Sequence, residues 1–318
     1  MTYVIVHALA PIFVIMLLGF YAGKAKKVDN HNVALLNVFV MDFALPAALF
    51  TATVQTPWAG IVGQAPLAAV LVLAMWIAYA AIYFLCTRVF HKAPQDAAVL
   101  TLTVALPNYA ALGLPILGSV LGSTPETSLS VAVSIACGSV LMTPFCLLIL
   151  EREKAKTEGT QHSSAAMLPV LMWRSVIKPI VWCPLLGVVL SAFGFHMPEL
   201  LLSTIRPLGL AATAAALFLT GLILSARQIR INRAVIVASV TKLLIQPFIA
   251  WGIVLALGLH GSLAIASILM IALAAGFFGV VFGNRFGVES PDAEATLLIT
   301  SVLSIVTLPL FISLTAGM

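Results

Sequence analysis

Residues 100–122 read LTLTVALPNYAALGLPILGSVLG. A helix of about 20 residues crosses a hydrocarbon core about 30 Å thick, and this stretch carries no charged side chain along that length. Its interior is nevertheless interrupted. Pro107 and Pro115 bracket Gly113, and each proline removes a helix hydrogen bond and crowds the preceding turn. The sequence therefore predicts a membrane helix broken near its middle, with Asn108 and Tyr109 in the freed stretch. Unpaired backbone at membrane depth is tolerated only where protein or a cavity covers it. Such a break is either an ordinary proline kink or the backbone of a mid-membrane binding site.

The flanking sequence makes the bilayer the natural solvent. Hydrophobic residues make up 62% of the 318 and charged residues 8%, where a soluble domain carries roughly 25% charged residues. Mean hydropathy is +1.13. Ten segments are long and apolar enough to span: 3–23, 33–53, 64–87, 97–120, 126–150, 175–195, 200–225, 233–257, 262–284 and 292–315. The first lacks a basic leader and a small-residue cleavage site, so it reads as a retained helix. The formal charge of +5 reports topology rather than nucleic acid. Every Lys and Arg except Arg206 and Lys242 falls in or beside an odd-numbered loop, and loops 54–63, 121–125 and 258–261 have none. Positive loops stay in the cytoplasm, which puts both termini outside and the polar linker 151–174 inside. The four cysteines lie in apolar runs without a CxxC pair and read as small buried residues.

An internal repeat divides the chain. Pro11-Ile12 with Leu17-Leu18-Gly19 recurs as Pro179-Ile180 with Leu185-Leu186-Gly187, and Ala47-Ala48-Leu49-Phe50 as Ala215-Ala216-Leu217-Phe218, both at one offset. Residues 1–150 and 175–318 would then form two five-helix repeats. Five is odd, so the second half inserts upside down, the inverted arrangement of secondary transporters that alternate access around a mid-membrane site. The repeat partner of the broken fourth helix is the ninth. There AAGFFGVVFGNRFG (274–287) places Gly276, Gly279 and Gly283 about a turn apart, without a proline. The expected fold is all-α, with ten membrane helices and crossed, broken helices four and nine.

Ionisable groups at membrane depth are costly and usually functional. Asp42 and Lys242 lie about eleven and nine residues from the cytoplasmic ends of segments two and eight, roughly 13–17 Å deep at 1.5 Å per residue. Lys242 is read either as the fixed charge for an anionic substrate or as the structural ion-pair partner of Asp42. Asp42, the one carboxylate at that depth, is the candidate carrier of a coupling proton. Asn37, Gln246 and Asn284 are further polar candidates, equally suited to joining helices. Arg206 and His7 lie near the interfaces. There is no HExxH, no P-loop, no pair of intramembrane aspartates and no base beside the Ser residues that follow Gly118 and Gly122. The chain is not read as an enzyme, and no cofactor or metal site is expected.

Several stretches together resemble the auxin efflux carrier family, in the same order along nearly the whole chain: APIFVIMLLGFYAGK (10–24), LLNVFVMDFALPAALF (35–50), PNYAALGLPIL (107–117), KPIVWCPLLGVVLS (178–191), AAALFLTGLIL (214–224), TKLLIQPF (241–248) and ITSVLSIVTLP (299–309). Within the family the chain is most similar to bacterial malonate transporters that accompany malonate decarboxylase. The resemblance implies a fold like that of bile-acid sodium symporters, with helices four and nine crossing at the substrate site. It implies crossover roles for Pro107 and Asn108 and a basic site position for Lys242; Pro115 joins the crossover from the residue pattern. The chain departs from the family pattern at Gly276 and Gly279, where a proline-containing crossover is usual. It also lacks the ninth-helix acid of the sodium-coupled relatives. The expectation is an inner-membrane carrier for a small organic anion, malonate first, coupled to H+ ahead of Na+. Asn108, Tyr109, Gly113, Lys242, Gly276, Gly279 and Asn284 would line the substrate site, and Asp42 would couple. An uncoupled anion uniporter or channel, and a carrier for another short carboxylate, remain as alternatives. Homodimer formation is left open.

Overall fold

Prolines set many of the helix boundaries in the computed structural model, which describes residues 2–30, 33–157, 169–170, 173, 176–195, 197–226 and 231–318. Most of the linker 151–174 lies outside the described residues. Helical pieces among the described residues follow in chain order: α1 (Thr2–Lys24), α2 (Ala34–Gln55), α3 (Trp58–Val89), α4 (Pro94–Ala105), α5 (Tyr109–Leu121) and α6 (Pro125–Lys154). After the linker come α7 (Pro179–Ala192), α8 (Glu199–Ser225), α9 (Arg233–Ala256), α10 (Gly261–Ala272), α11 (Phe278–Arg285) and α12 (Pro291–Thr315). Helices α2, α3, α6, α8, α9 and α12 are each long and apolar enough to cross a membrane. α4, α6, α7 and α12 begin on a proline, whose missing N–H costs nothing at a first helical position.

Prolines inside the longer pieces have a second effect. Wider π-helical turns occupy Phe39–Ala44, Tyr109–Gly113, Cys137–Met142 and Thr241–Ile245. Each of these four ends two residues before a proline, Pro46, Pro115, Pro144 and Pro247, whereas a fifth such turn, Leu85–Val89, has no proline so near. A proline offers no N–H to the preceding turn, and widening that turn relieves its clash with the ring. Asp42 and Lys242 both lie in such turns.

The pieces sort into two groups by their packing. α1, α2, α7 and α8 form one, with α1 laid along α8 and α2 against α7 and α8. Gly19 and Gly221 permit the α1–α8 approach: a Cβ on Gly221 would lie 1.8 Å from the Met16 carbonyl oxygen, and one on Gly19 2.1 Å from that of Phe218. Small residues at such crossings let backbones gain dispersion contact that lipid cannot supply. The remaining helices form the second group, with α4 packed against α3, α6, α11 and α12. Residues 97–113 and 266–277 are buried without interruption. α4 and the end of α10 therefore have no lipid face, which is where broken backbone can be kept satisfied. The first group meets the second chiefly along α5 and α6, through all four of its helices, with smaller contacts of α7 on α3 and α1 on α12.

The fourth segment of the sequence is broken between Ala105 and Tyr109, as its prolines predict. The ninth is broken too, between Ala272 and Phe278, with no proline present. Its unwinding has another cause, found at the crossing itself.

Candidate functional site

The two breaks meet each other. Pro107 and Ala275 form an isolated antiparallel bridge. In it Asn108 N–H donates to the Ala274 carbonyl at 2.9 Å and Gly276 N–H donates to the Leu106 carbonyl at 2.8 Å. Gly276 N–H also reaches the Thr103 carbonyl at 3.1 Å. A Cβ on Gly276 would stand 2.4 Å from the Leu106 oxygen. Only glycine allows this approach, and the α4 carbonyls it reaches supply the bond that the unwound ninth segment gave up. Glycine and a crossing partner thus do for the second break what proline does for the first. Gly279 belongs to the same contact: a Cβ there would lie 2.2 Å from Thr103 Oγ1. Gly113 packs against Val131 and Met270. The geometry of these three glycines is that of close helix packing.

Four helix ends converge where the breaks cross. The C-terminal ends of α4 and α10 present carbonyls outside the intrahelical ladder and partial negative charge, and the N-terminal ends of α5 and α11 present first-turn N–H groups and partial positive charge. Lys242, fully buried, serves the carbonyl ends. Its Nζ donates to the Ile271 carbonyl at 3.1 Å and to Gln246 Oε1 at 2.8 Å. Gln246 Nε2 in turn donates to the Ala105 carbonyl at 2.8 Å. One lysine and the glutamine a turn later thus tie α9 to both helix C-termini. Thr300 of α12 takes up another freed group, accepting from Ala275 N–H at 3.2 Å.

The N-terminal end of α5 is arranged differently. Asn108 caps it, Oδ1 accepting from Ala111 N–H at 3.4 Å. Its Nδ2 is buried and has no hydrogen-bond partner among the described residues. A buried amide N–H2 left unpaired costs about 1–3 kcal/mol, and such groups persist where a ligand or water completes them. Tyr109, also buried, points its hydroxyl at Met75 Sδ, 3.5 Å away.

The predicted site residues therefore divide. Asn108, Tyr109, Pro107, Lys242 and Gly276 come together at the crossing, with Gly279 and Gly113 on its shoulders. Asn284 lies in α11, and its side chain is outside the described residues. Asp42 stands apart, exposed on α2 beside Phe43, and no described ion pair joins it to Lys242. The alternative reading of Lys242 as the partner of Asp42 is not what the fold builds: the ammonium's oxygens come from its own helix and from a helix end. Sequence reasoning named Gln246 only as a polar candidate and missed Thr300. A glutamine four residues after a membrane lysine was the signal for the first; nothing local signalled the second.

A multi-pass helical membrane protein with this crossing is a membrane transporter. The chain belongs to the auxin efflux carrier family, whose model, described as membrane transport protein, matches residues 4–312. It is 26% identical to "Uncharacterized transporter YfdV" of Escherichia coli over 96% of this chain and 95% of that one. It is 25% identical to the "Putative malonate transporter" of Rhizobium meliloti over 93% and 91%. A shorter match, 30% identical, joins 43% of the chain to 24% of "Probable auxin efflux carrier component 1c" of Oryza sativa.

Proposed function

We propose that this transporter is a secondary active carrier of a short organic anion, malonate first, working by alternating access across the inner membrane. In this reading ten helices form two inverted repeats, residues 1–150 and 175–318, with both termini outside. The linker 151–174 is then cytoplasmic. The observation that carries the substrate site is the buried, unpartnered Nδ2 of Asn108 at the N-terminal end of α5. A carboxylate placed there gains that donor and the positive end of the helix. Lys242 contributes through the Gln246 network, offsetting the carbonyl ends so that the crossing presents net positive character to an anion. The name of the Rhizobium meliloti relative supports malonate within the class.

Malonate is mostly a dianion at neutral pH, and moving one charge across 100 mV costs about 2.3 kcal/mol. Importing the bare dianion against that inside-negative potential costs about 4.6 kcal/mol, more than a thousandfold in accumulation. Uptake therefore needs at least two cations. Asp42, a mid-span carboxylate with no described ion pair, is the proposed proton carrier. The experiment is malonate uptake into proteoliposomes with imposed gradients. An inward proton gradient should drive accumulation, and Asp42→Asn should abolish that drive while leaving downhill exchange. Accumulation driven by an inside-positive potential alone would show an uncoupled uniporter instead.

The topology has its own test. A cysteine at Thr160, in a background without the four native cysteines, should resist impermeant maleimide applied outside intact cells and react once the membrane is opened. Ready labelling from outside would invert the orientation.

A further inference from the structure

At the ends of α4 and α12 remote from the crossing lies a cluster of polar groups that no part of the crossing uses. Lys92 Nζ lies 2.7 Å from Asp96 Oδ2 and 2.6 Å from Asp292 Oδ2. Asn232 Nδ2 donates to Asp292 Oδ1 at 2.6 Å, and Ser290 Oγ donates to Asp96 Oδ1. Asp96 lies in the first turn of α4 and Asp292 in the first turn of α12, where a carboxylate also suits the helix dipole. One ammonium thus holds two helix N-termini from opposite halves of the chain, and the N-cap of α9 joins them. Every member belongs to the second helix group. None comes from α1, α2, α7 or α8 among the described residues.

Both helices it holds reach the crossing, α4 as one of its broken arms and α12 through Thr300. α4 runs nine residues from Asp96 to Ala105, whose carbonyl takes Gln246. α12 runs eight residues from Asp292 to Thr300, which takes Ala275 N–H. At 1.5 Å per residue the cluster acts from about 12–14 Å away. We propose that Lys92, Asp96 and Asp292, with Asn232 and Ser290, form a clasp that stays closed through the transport cycle and fixes α4 and α12 in the alignment the crossing needs. Lys92 is then a positioning residue for transport. The proposal rests on the crossing's being the substrate site.

The electrostatics of the clasp make it testable. The charged groups on Lys92 are Asp96 from α4 and Asp292 from α12, and the Cys86 thiol faces the same three from α3. Burial lowers the Lys92 pKa, but the hydrogen bonds to Asp292 and Asp96 more than reverse this and hold it above the ordinary lysine value. A raised pKa means the stabilisation is complete below the unfolded lysine value of about 10.4 and fades only above it. Loss of the Lys92 proton therefore does not open the native clasp between pH 5 and 8. Without the lysine, two carboxylates face each other across the gap, and repulsion raises the pKa of one of them. Acid then supplies a proton in place of the ammonium.

The test reads malonate uptake relative to wild type at each pH, so that the proton coupling cancels, together with the Tm of the purified protein. Lys92→Met should lower the rate about tenfold or more at pH 7.5, lower Tm, and recover in both readouts toward pH 5. Lys92→Met with Asp292→Asn keeps the cluster's net charge and should restore at least about half the rate at pH 7.5, with a flat pH profile. This double variant carries the test if the single one does not fold. A single variant within about twofold of wild type, or a loss that neither acid nor Asp292→Asn relieves, overturns the clasp. If wild type carries no malonate, the substrate reading fails alone, and the Tm pattern still decides: an unchanged Tm at both pH values overturns the clasp.

Discussion

Replacing Lys242 with methionine is expected to lower transport at least a hundredfold and to destabilise the protein. Methionine matches the lysine stem in length and polarity but brings no donor. Gln246 Oε1 and the Ile271 carbonyl then lose the ammonium while remaining buried. Each acceptor stranded in this way costs about 1–3 kcal/mol, so about 2–6 kcal/mol of stability is at stake. The C-terminal ends of α4 and α10 also lose their counter-charge, which disfavours an anion at the crossing. Asp42→Asn added to Lys242→Met should restore nothing, because no ion pair links the two positions. Rescue by the double variant would return Lys242 to a structural partnership with Asp42. The two readouts are uptake rate and Tm, measured on the same preparations.

The second large effect is at Asn108. Asn108→Ala removes the unpartnered Nδ2 and the cap together. A hydrogen bond to a charged group is worth about 1.5–3 kcal/mol, so malonate affinity should fall about ten- to 150-fold. Loss of an N-cap costs about 1 kcal/mol more in stability. Asn108→Ser separates the two contributions. Its hydroxyl retains an acceptor for the Ala111 N–H, but it is too short to reach where Nδ2 ends. It should bind malonate nearly as poorly as the alanine variant and unfold near the wild-type Tm. Wild-type affinity in both variants would make the fourth-segment break a plain proline kink.

Much of the fold is written locally. A run of about 20 uncharged residues can be satisfied only in lipid or in a large core, without reference to what it packs against. The break at Pro107 was legible for the same reason, since proline acts on its own turn. The break at Leu273–Phe277 was legible only through the repeat, as the partner of the fourth segment, and not from its own residues. Glycine permits a crossing without requiring one, and what unwinds that segment is the α4 backbone pressed against Gly276, some 170 residues earlier in the chain.

The side chains of the site divide in the same way. Asn108 could be singled out from sequence because it follows the proline that frees its backbone, and Lys242 because a lone charge at membrane depth is conspicuous. Their partners could not. Sequence offered Asp42 to Lys242 on grounds of equal depth, whereas the fold turned Asp42 outward on α2 and supplied Gln246 and a helix-end carbonyl. Lys92 read only as one of the loop cations that report topology, and only packing of α4 against α12 brings Asp96 and Asp292 together within its reach. The sequence by itself determined a membrane-spanning helical chain, where its charges lie and where one helix must break. Tertiary structure alone decided what each freed or charged group bonds to, because hydrogen bonds and ion pairs depend on contacts of a few ångströms that helices far apart in the chain make only when packed.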